Sequence, residues 1–215
     1  MRDHVVVVGY GTKGRSAVAA LLGDGVEPGS IVVVDTVQES LDAASAIGLV
    51  TVHGSGTRND VLRVAGAARA RAIVVAPNRD DTAVLVTLTA RELAPKAQIV
   101  ASVRERENEH LLKQSGADSV VVSSETAGRL LGMATATPSV VAMVEDLLTP
   151  DAGLAIAERD VEQSEIGGSP RHLSDIVLGV VRGKTLFRVD APEADAIEPG
   201  DRLLYVKKVT PPGEE

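Results

Sequence analysis

A chain of 215 residues, 44% of them hydrophobic and none cysteine, can bury one ordinary core and a small appendage, and it excludes disulfide frameworks, thiolate zinc sites and cysteine nucleophiles. Its 22 Lys and Arg against 30 Asp and Glu leave a formal charge of −8, which repels nucleic-acid backbones and anionic lipid over most of the surface. Tyr10, Tyr205 and Phe187 are the only aromatics, too few to stack a run of bases, so nucleic acid is not an expected partner. No apolar run of about 18 residues and no secretory leader pattern is found, so the expected address is cytoplasmic and any membrane role needs a partner.

The first predicted strand, His4–Val8, runs into Gly9-Tyr10-Gly11-Thr12-Lys13-Gly14, which opens a predicted helix. In a strand–turn–helix of this kind Gly9 permits the tight turn, Gly11 lets a diphosphate approach the backbone and Gly14 lets helix and strand pack closely. The second strand, Ile31–Val34, ends in Asp35 and Thr36, where a carboxylate can accept hydrogen bonds from a ribose diol and repel a 2′-phosphate. The alternative is a glycine turn that serves structure alone.

Further strands are predicted at Leu49–Val52, Ala72–Val75, Ile99–Val103 and Ser119–Val122. Between them lie stretches of helical spacing, such as Ser16, Ala19, Ala20 and Leu21, then Val84, Leu85, Leu88 and Leu93. Near-continuous apolar strands alternating with helices predict an α/β fold, a Rossmann-type doubly wound parallel sheet over residues 1–135. Ligands of such sheets bind outside the carboxyl ends of the strands, so "HGSGT" at His53–Thr57 and "APNRDD" at Ala76–Asp81 face the same crevice as the glycine turn. Ser55, Gly56, Thr57, Pro77 and Asn78 are candidates for framing an adenine, the alternative for each being an ordinary turn residue.

After the sixth strand, "SETAGRLLGMATATPSVVAMVEDLLTP" predicts a helix-turn-helix crossover broken at Thr137–Pro138, with its connector at 136–150. Leu130 to Leu147 is almost wholly small or aliphatic, so it either packs on its own sheet or is a partner's surface. From 151 to 210, "LAIAERDV", "IVLGVVRG", "TLFRV" and "DRLLYVKK" predict a small C-terminal β-rich α+β module, and "VTPPGEE" reads as a frayed tail with 211–215 beyond the module. A module of this size is marginal alone and is expected to lean on the first domain or on a copy of itself.

A hydride-transferring enzyme needs an acid–base group, usually His or Lys, near the nicotinamide. His4, His53, His110 and His172 come without a carboxylate partner at useful spacing, and no His-x-x-x-His pair, clustered carboxylates or nucleophile elbow is found. No catalytic residue, no metal ligand and no enzyme activity are expected, with an NAD-dependent oxidoreductase as the weaker alternative.

"HVVVVGYGTKG", "IVVVD", "HGSGTRNDVLRVAGAARARAIVVA", "IVASVRERENEHLLKQSGADSVVVSSETAGRLL" and "IVLGVVRG…EPGDRLLYV" together resemble an RCK (regulator of K⁺ conductance) domain, TrkA-N plus TrkA-C. The resemblance covers nearly the whole chain and implies a ligand-sensing module of a prokaryotic K⁺ channel or Trk/Ktr-type transporter. It implies NAD(H) or ATP/ADP in the crevice, and dimers assembled into an octameric ring at the inner face of the cell membrane. The partner is then a channel pore or a transporter subunit, and gating is a population shift between ring geometries. Chain length fits a free-standing transporter subunit, whereas the opening "MRDH" favours a gating ring cut from, or initiated within, a longer channel polypeptide. Where many relatives carry G-D-x-T this chain has Gly54-Ser55-Gly56-Thr57, and the calcium-gated relatives' carboxylate positions are matched by Ala76, Ser102 and Arg104, so no Ca²⁺ is expected there. Arg104 is expected either to pair with a nucleotide phosphate or to form a surface ion pair with Glu105 or Glu107.

Overall fold

Runs of valine, isoleucine and alanine, stiff at χ1 and apolar on both faces, form the strands of a parallel sheet in the computed structural model, which describes residues 1–148 and 153–209. They are β1 (Val5–Val8), β2 (Ile31–Asp35), β3 (Val50–His53), β4 (Ala72–Val75), β5 (Gln98–Val103) and β6 (Ser119–Val122). The order is β3-β2-β1-β4-β5-β6 with every pair parallel, which is the expected doubly wound sheet. The winding reverses between β1 and β4, and such a switch point opens a crevice at the carboxyl ends of those strands.

Alternating residues of each strand feed two core layers. Val6, Val8, Val32, Val34, Ile73 and Val75 pack on one face, and Val5, Val7, Ile31 and Val33 on the other. Helices α1 (Thr12–Gly23), α2 (Gln38–Ala46), α3 (Asn59–Val64), α4 (Asp80–Leu93), α5 (Glu109–Gln114) and α6 (Ser123–Ala136) follow β1 to β6 in turn. Ile73 is fully buried at the middle of the sheet. Ile73→Ala is therefore expected to cost about 2–5 kcal/mol in urea unfolding, with the slope unchanged.

The helix faces differ from the spacing expected. α4 buries Ala83, Val86, Thr87 and Ala90, while Leu85 and Leu88 are 53% and 48% exposed. α1 buries Gly14 and Val18, while Ser16, Ala19 and Ala20 are exposed. Close approach of helix to sheet selects small side chains, so the largest apolar residues do not mark the buried face. His4 is not part of β1. Its ring is fully buried and donates from Nε2 to the Ala65 carbonyl at 2.9 Å, tying the start of β1 to the end of α3.

By Cα proximity the chain divides into two compact units, Met1–Ala136 and Thr137–Glu215. The second holds α7 (Pro138–Leu148) and an antiparallel sheet of β7 (Gly153–Asp160), β8 (Ile176–Arg182), β9 (Thr185–Arg188) and β10 (Arg202–Val209), in the order β7-β10-β8-β9. Pro138 sits at the first position of α7, where its missing N–H costs nothing. Val180, Ala194, Ile197 and Leu203 make this unit's core. Residues 149 and 150 of the connector, 151 and 152 of the module, and 210–215 at the end lie outside the described residues.

One ion pair of the second unit is shielded on its acidic side. The Asp201 side chain is 1% exposed and accepts from Arg182 Nε at 2.9 Å and Nη2 at 2.8 Å. The Arg182 hydrogen bonds, helped by the Glu198 amide, hold the Asp201 carboxyl below its ordinary range against the opposing effect of burial. A depressed carboxyl contributes stability above its unfolded pKa and loses it as pH falls through the folded value. Asp201→Ala, which leaves Arg182 paired with Glu198 alone, is expected to cost about 1–3 kcal/mol at neutral pH and to make stability less sensitive to acid, both readable by calorimetry from pH 7 downward.

Candidate functional site

The crevice is built on three glycines whose roles differ. Gly9 ends β1, donates to the Val34 carbonyl at 2.9 Å and has φ +93°, a conformation that side-chain-bearing residues rarely adopt. A Cβ there would lie 2.8 Å from the Ala76 carbonyl oxygen, so Gly9 also lets the β4 loop approach. At Gly14 an added Cβ would lie 1.9 Å from the Gly9 carbonyl oxygen, which makes it the contact between α1 and the turn. At Gly11 it would meet only Asn78 Oδ1, at 3.6 Å. Gly11 thus keeps open the space in front of α1.

Gly11 is also the N-cap of α1, with no side-chain cap and no acidic residue in the first turn. The first N–H groups of a helix have no acceptor within it, and they carry the positive end of its dipole. Beside them stands Asp35, whose Oδ2 accepts from the Tyr10 amide at 2.6 Å and whose Oδ1 accepts from the Val37 amide at 2.9 Å. The two bonds fix the carboxylate's direction and leave each oxygen a further lone pair.

Gly9, Gly11, Asp35, Thr36, Ser55, Gly56, Pro77 and Asn78 line one open cavity of about 240 Å³ at the carboxyl ends of β1 to β4. A second opening is lined by Lys13, Asn78, Arg104, Ser123 and Ser124. Four of the residues expected at the site lie in neither. The Tyr10 ring is 4% exposed and belongs to the core layer of Val5, Val7 and Val18, so only its amide serves the turn. Thr12 is exposed at the start of α1, Gly14 is consumed in packing, and the Thr57 hydroxyl is hydrogen bonded to Ser55 Oγ at 2.8 Å. These four shape the frame, not the cavity.

Ser40 on α2 and Thr82 on α4 also line the first cavity, and neither stood out in the sequence. Ser123 and Ser124 begin α6 directly after β6, so the rule that strand ends face the crevice could have found them. Arg104 makes no ion pair with Glu105 or Glu107 among the described residues; the Arg104 and Glu105 amides instead donate to Asp80, at 2.9 and 3.1 Å. Lys13 Nζ is buried without a hydrogen-bond partner. Burial pushes its ammonium below the ordinary pKa, Asp80 opposes this, and Arg104 adds to it.

Of the four histidines, His53 lies closest to the cavity, at the end of β3, and its Nε2 is 3.2 Å from the Thr36 carbonyl. No group of three His, Asp or Glu able to hold a metal ion occurs among the described residues. Among them, too, no helix is long and apolar enough to cross a membrane.

The TrkA-N domain family matches residues 5–123. The glutathione-regulated potassium-efflux system protein KefC of Escherichia coli O157:H7 is 30% identical over 117 residues, 54% of this chain and 18% of that protein. The chain spans about a fifth of the length of the curated relatives it matches. The crystal structure of GsuK bound to ADP is 29% identical with a TM-score of 0.56, over 64% of this chain and 35% of that one. The GsuK RCK domain, at 23% identity and TM-score 0.56, shares the fold over 97% of this chain and 44% of its own. The family match spans every strand of the parallel sheet and the glycine turn, and the chain therefore belongs to the TrkA-N domain family.

Proposed function

We propose that this chain is the cytoplasmic ligand-sensing part of a potassium channel's gating ring, and that it binds an adenine nucleotide at the glycine turn without transforming it. The observation that carries this reading is one cavity in which an uncapped helix N-terminus, a glycine with free space above it and an oriented carboxylate stand side by side. A diphosphate fits the first two and a ribose diol the third, with Ser55, Pro77 and Asn78 left for the base. GsuK, solved with ADP at 29% identity, supports the same ligand class. The similarity to KefC favours a second reading, in which the module regulates a potassium transporter.

A sensor needs a partner surface, and α6 and α7 supply one. Neither helix has a buried residue, and Leu131, Met133, Val140 and Met143 are all exposed, Leu131 at 72%. Dimers or larger rings held partly by these helices are expected in light scattering at high protein concentration; a monomer there contradicts this part of the proposal. The second unit is assigned to the TrkA-C module on the same reading.

The direct test is a calorimetric panel of ADP, ATP, NAD⁺ and NADH, with nicotinamide absorbance followed in parallel. Saturable heat from at least one nucleotide and no change in absorbance with small hydroxy acids are expected. No heat from any of the four rules out the nucleotide reading, and substrate-dependent oxidation of NADH rules out the sensor.

A further inference from the structure

The amino ends of the parallel strands, opposite the crevice, carry exposed cations that the nucleotide site does not use. Three backbone bonds bring their segments together: the Asp3 amide donates to the Arg69 carbonyl at 3.0 Å, the Arg71 amide to the His4 carbonyl at 2.9 Å and the Gln98 amide to the Arg71 carbonyl at 3.0 Å. Arg2, Arg69, Arg71 and Lys96 therefore stand along one edge, at the amino ends of β1, β4 and β5. α3 ends at the same edge, where the Ala65 carbonyl takes the His4 ring, and adds Arg63 from its last turn. All five are exposed, and none has an ion pair or a side-chain hydrogen bond among the described residues.

Few carboxylates oppose them. Asp3 follows Arg2, and Glu92 lies in the last turn of α4, both exposed. Asp118 is taken up by Arg91 and by the Ile99 amide, each at 2.7 Å, while Asp24 and Glu27 precede β2, on the far side of β1 from β4. Five cations against two carboxylates make this edge positive on a chain whose formal charge is −8. Carboxylates at the other end of the sheet do not cancel it. Strands of four to six residues keep the two ends about 13–20 Å apart, beyond the screening length of about 8 Å in physiological salt. Met1 and Val64, next to Arg2 and Arg63 in the chain, are 51% and 75% exposed. Unpaired arginines with apolar residues beside them suit a layer of lipid headgroups: guanidinium forks match phosphate oxygens, and aliphatic parts reach the acyl boundary.

We infer that this edge is a docking surface for an anionic lipid membrane, with Arg2, Arg63, Arg69, Arg71 and Lys96 on the headgroup phosphates. The geometry gives the contact a use. With the amino ends of the strands on the lipid, the crevice at their carboxyl ends opens away from it and stays accessible to a ligand. The inference goes beyond the nucleotide reading and stands whether or not a nucleotide binds. Each basic residue at such a surface is worth about fivefold in partition, so a net of three charges gives about a hundredfold preference for an anionic over a neutral membrane. Contact of this strength is reversible for one chain and multiplies across joined copies.

The test is co-sedimentation of the full chain with phosphatidylcholine vesicles, with and without one third phosphatidylglycerol, at low salt and at about 1 M salt, where the screening length is about 3 Å. Arg69→Gln/Arg71→Gln and Arg2→Gln/Lys96→Gln remove charge from the edge, the second pair keeping the test decisive should the first misfold. Lys207→Gln/Lys208→Gln removes the same charge from exposed positions on β10. Capture by anionic but not neutral vesicles, lost at high salt, weakened about tenfold or more in each edge variant and unchanged in the β10 variant, upholds the inference. Equal capture by both vesicles, no capture by either, or equal loss in the β10 variant overturns it. Self-association that salt and the edge variants abolish, without vesicle capture, also overturns it and assigns the edge to an acidic surface of a second copy.

Discussion

Replacing Gly11 by Asp is expected to abolish nucleotide binding while leaving the fold as stable as before, or slightly more so. The two halves of this outcome have separate causes. An Asp at this position puts a negative charge where the diphosphate lies, and like charges about 4 Å apart in a partly screened site repel by about 4 kcal/mol, roughly a thousandfold in affinity. Yet Gly11 has φ −76°, and its nearest neighbour for an added Cβ is Asn78 Oδ1 at 3.6 Å, so the side chain enters without strain. Asp is also a better N-cap than Gly by a few tenths of a kcal/mol, and α1 now lacks a side-chain cap. Calorimetry and thermal unfolding on the same sample read both halves. A binding-competent variant, or one that melts well below the parent, contradicts the role given to Gly11.

Gly14→Ala is expected to do the opposite. Its Cβ would sit 1.9 Å from the Gly9 carbonyl oxygen and 2.9 Å from the Gly9 carbonyl carbon, both backbone atoms with no rotamer by which to escape. α1 must then shift away from the turn, at a cost of about 3 kcal/mol or more. The gain in helix propensity, about 1 kcal/mol, does not offset this. A fall in melting temperature of roughly 6–12 °C follows for a chain of this size. A change of less than about 2 °C would contradict the contact assigned to Gly14. Two glycines of one motif, three residues apart, thus separate binding from folding.

Much of this was legible in the residues themselves. Val5–Val8 and Ile31–Asp35 are apolar on both faces and short, a pattern that a buried parallel strand produces, and the glycines between strand and helix mark the turn. Asp35 was legible for the same reason, since the end of the second strand falls beside that turn. Its double bond to the Tyr10 and Val37 amides was not, because it depends on backbone directions within two adjacent turns. The buried face of α4 was not legible: Leu85 and Leu88 are exposed and Ala83 and Ala90 are buried, because proximity to the sheet outweighs hydrophobicity there. Lys13 was legible as a member of the glycine turn, but its burial was not. Its burial depends on sheet order, which carries Arg104 and Ser123 to its side from distant parts of the chain.

Nucleotide held at the glycine turn is the claim on which the sensing function depends, and amide hydrogen exchange of the full chain with and without ADP tests it where it is made. Slower exchange is expected at the amides of Gly11 to Lys13 and in the loops after β2, β3 and β4, with the centres of the strands unchanged. Exchange in those loops unaltered by saturating ADP, or protection elsewhere in the chain alone, would contradict it.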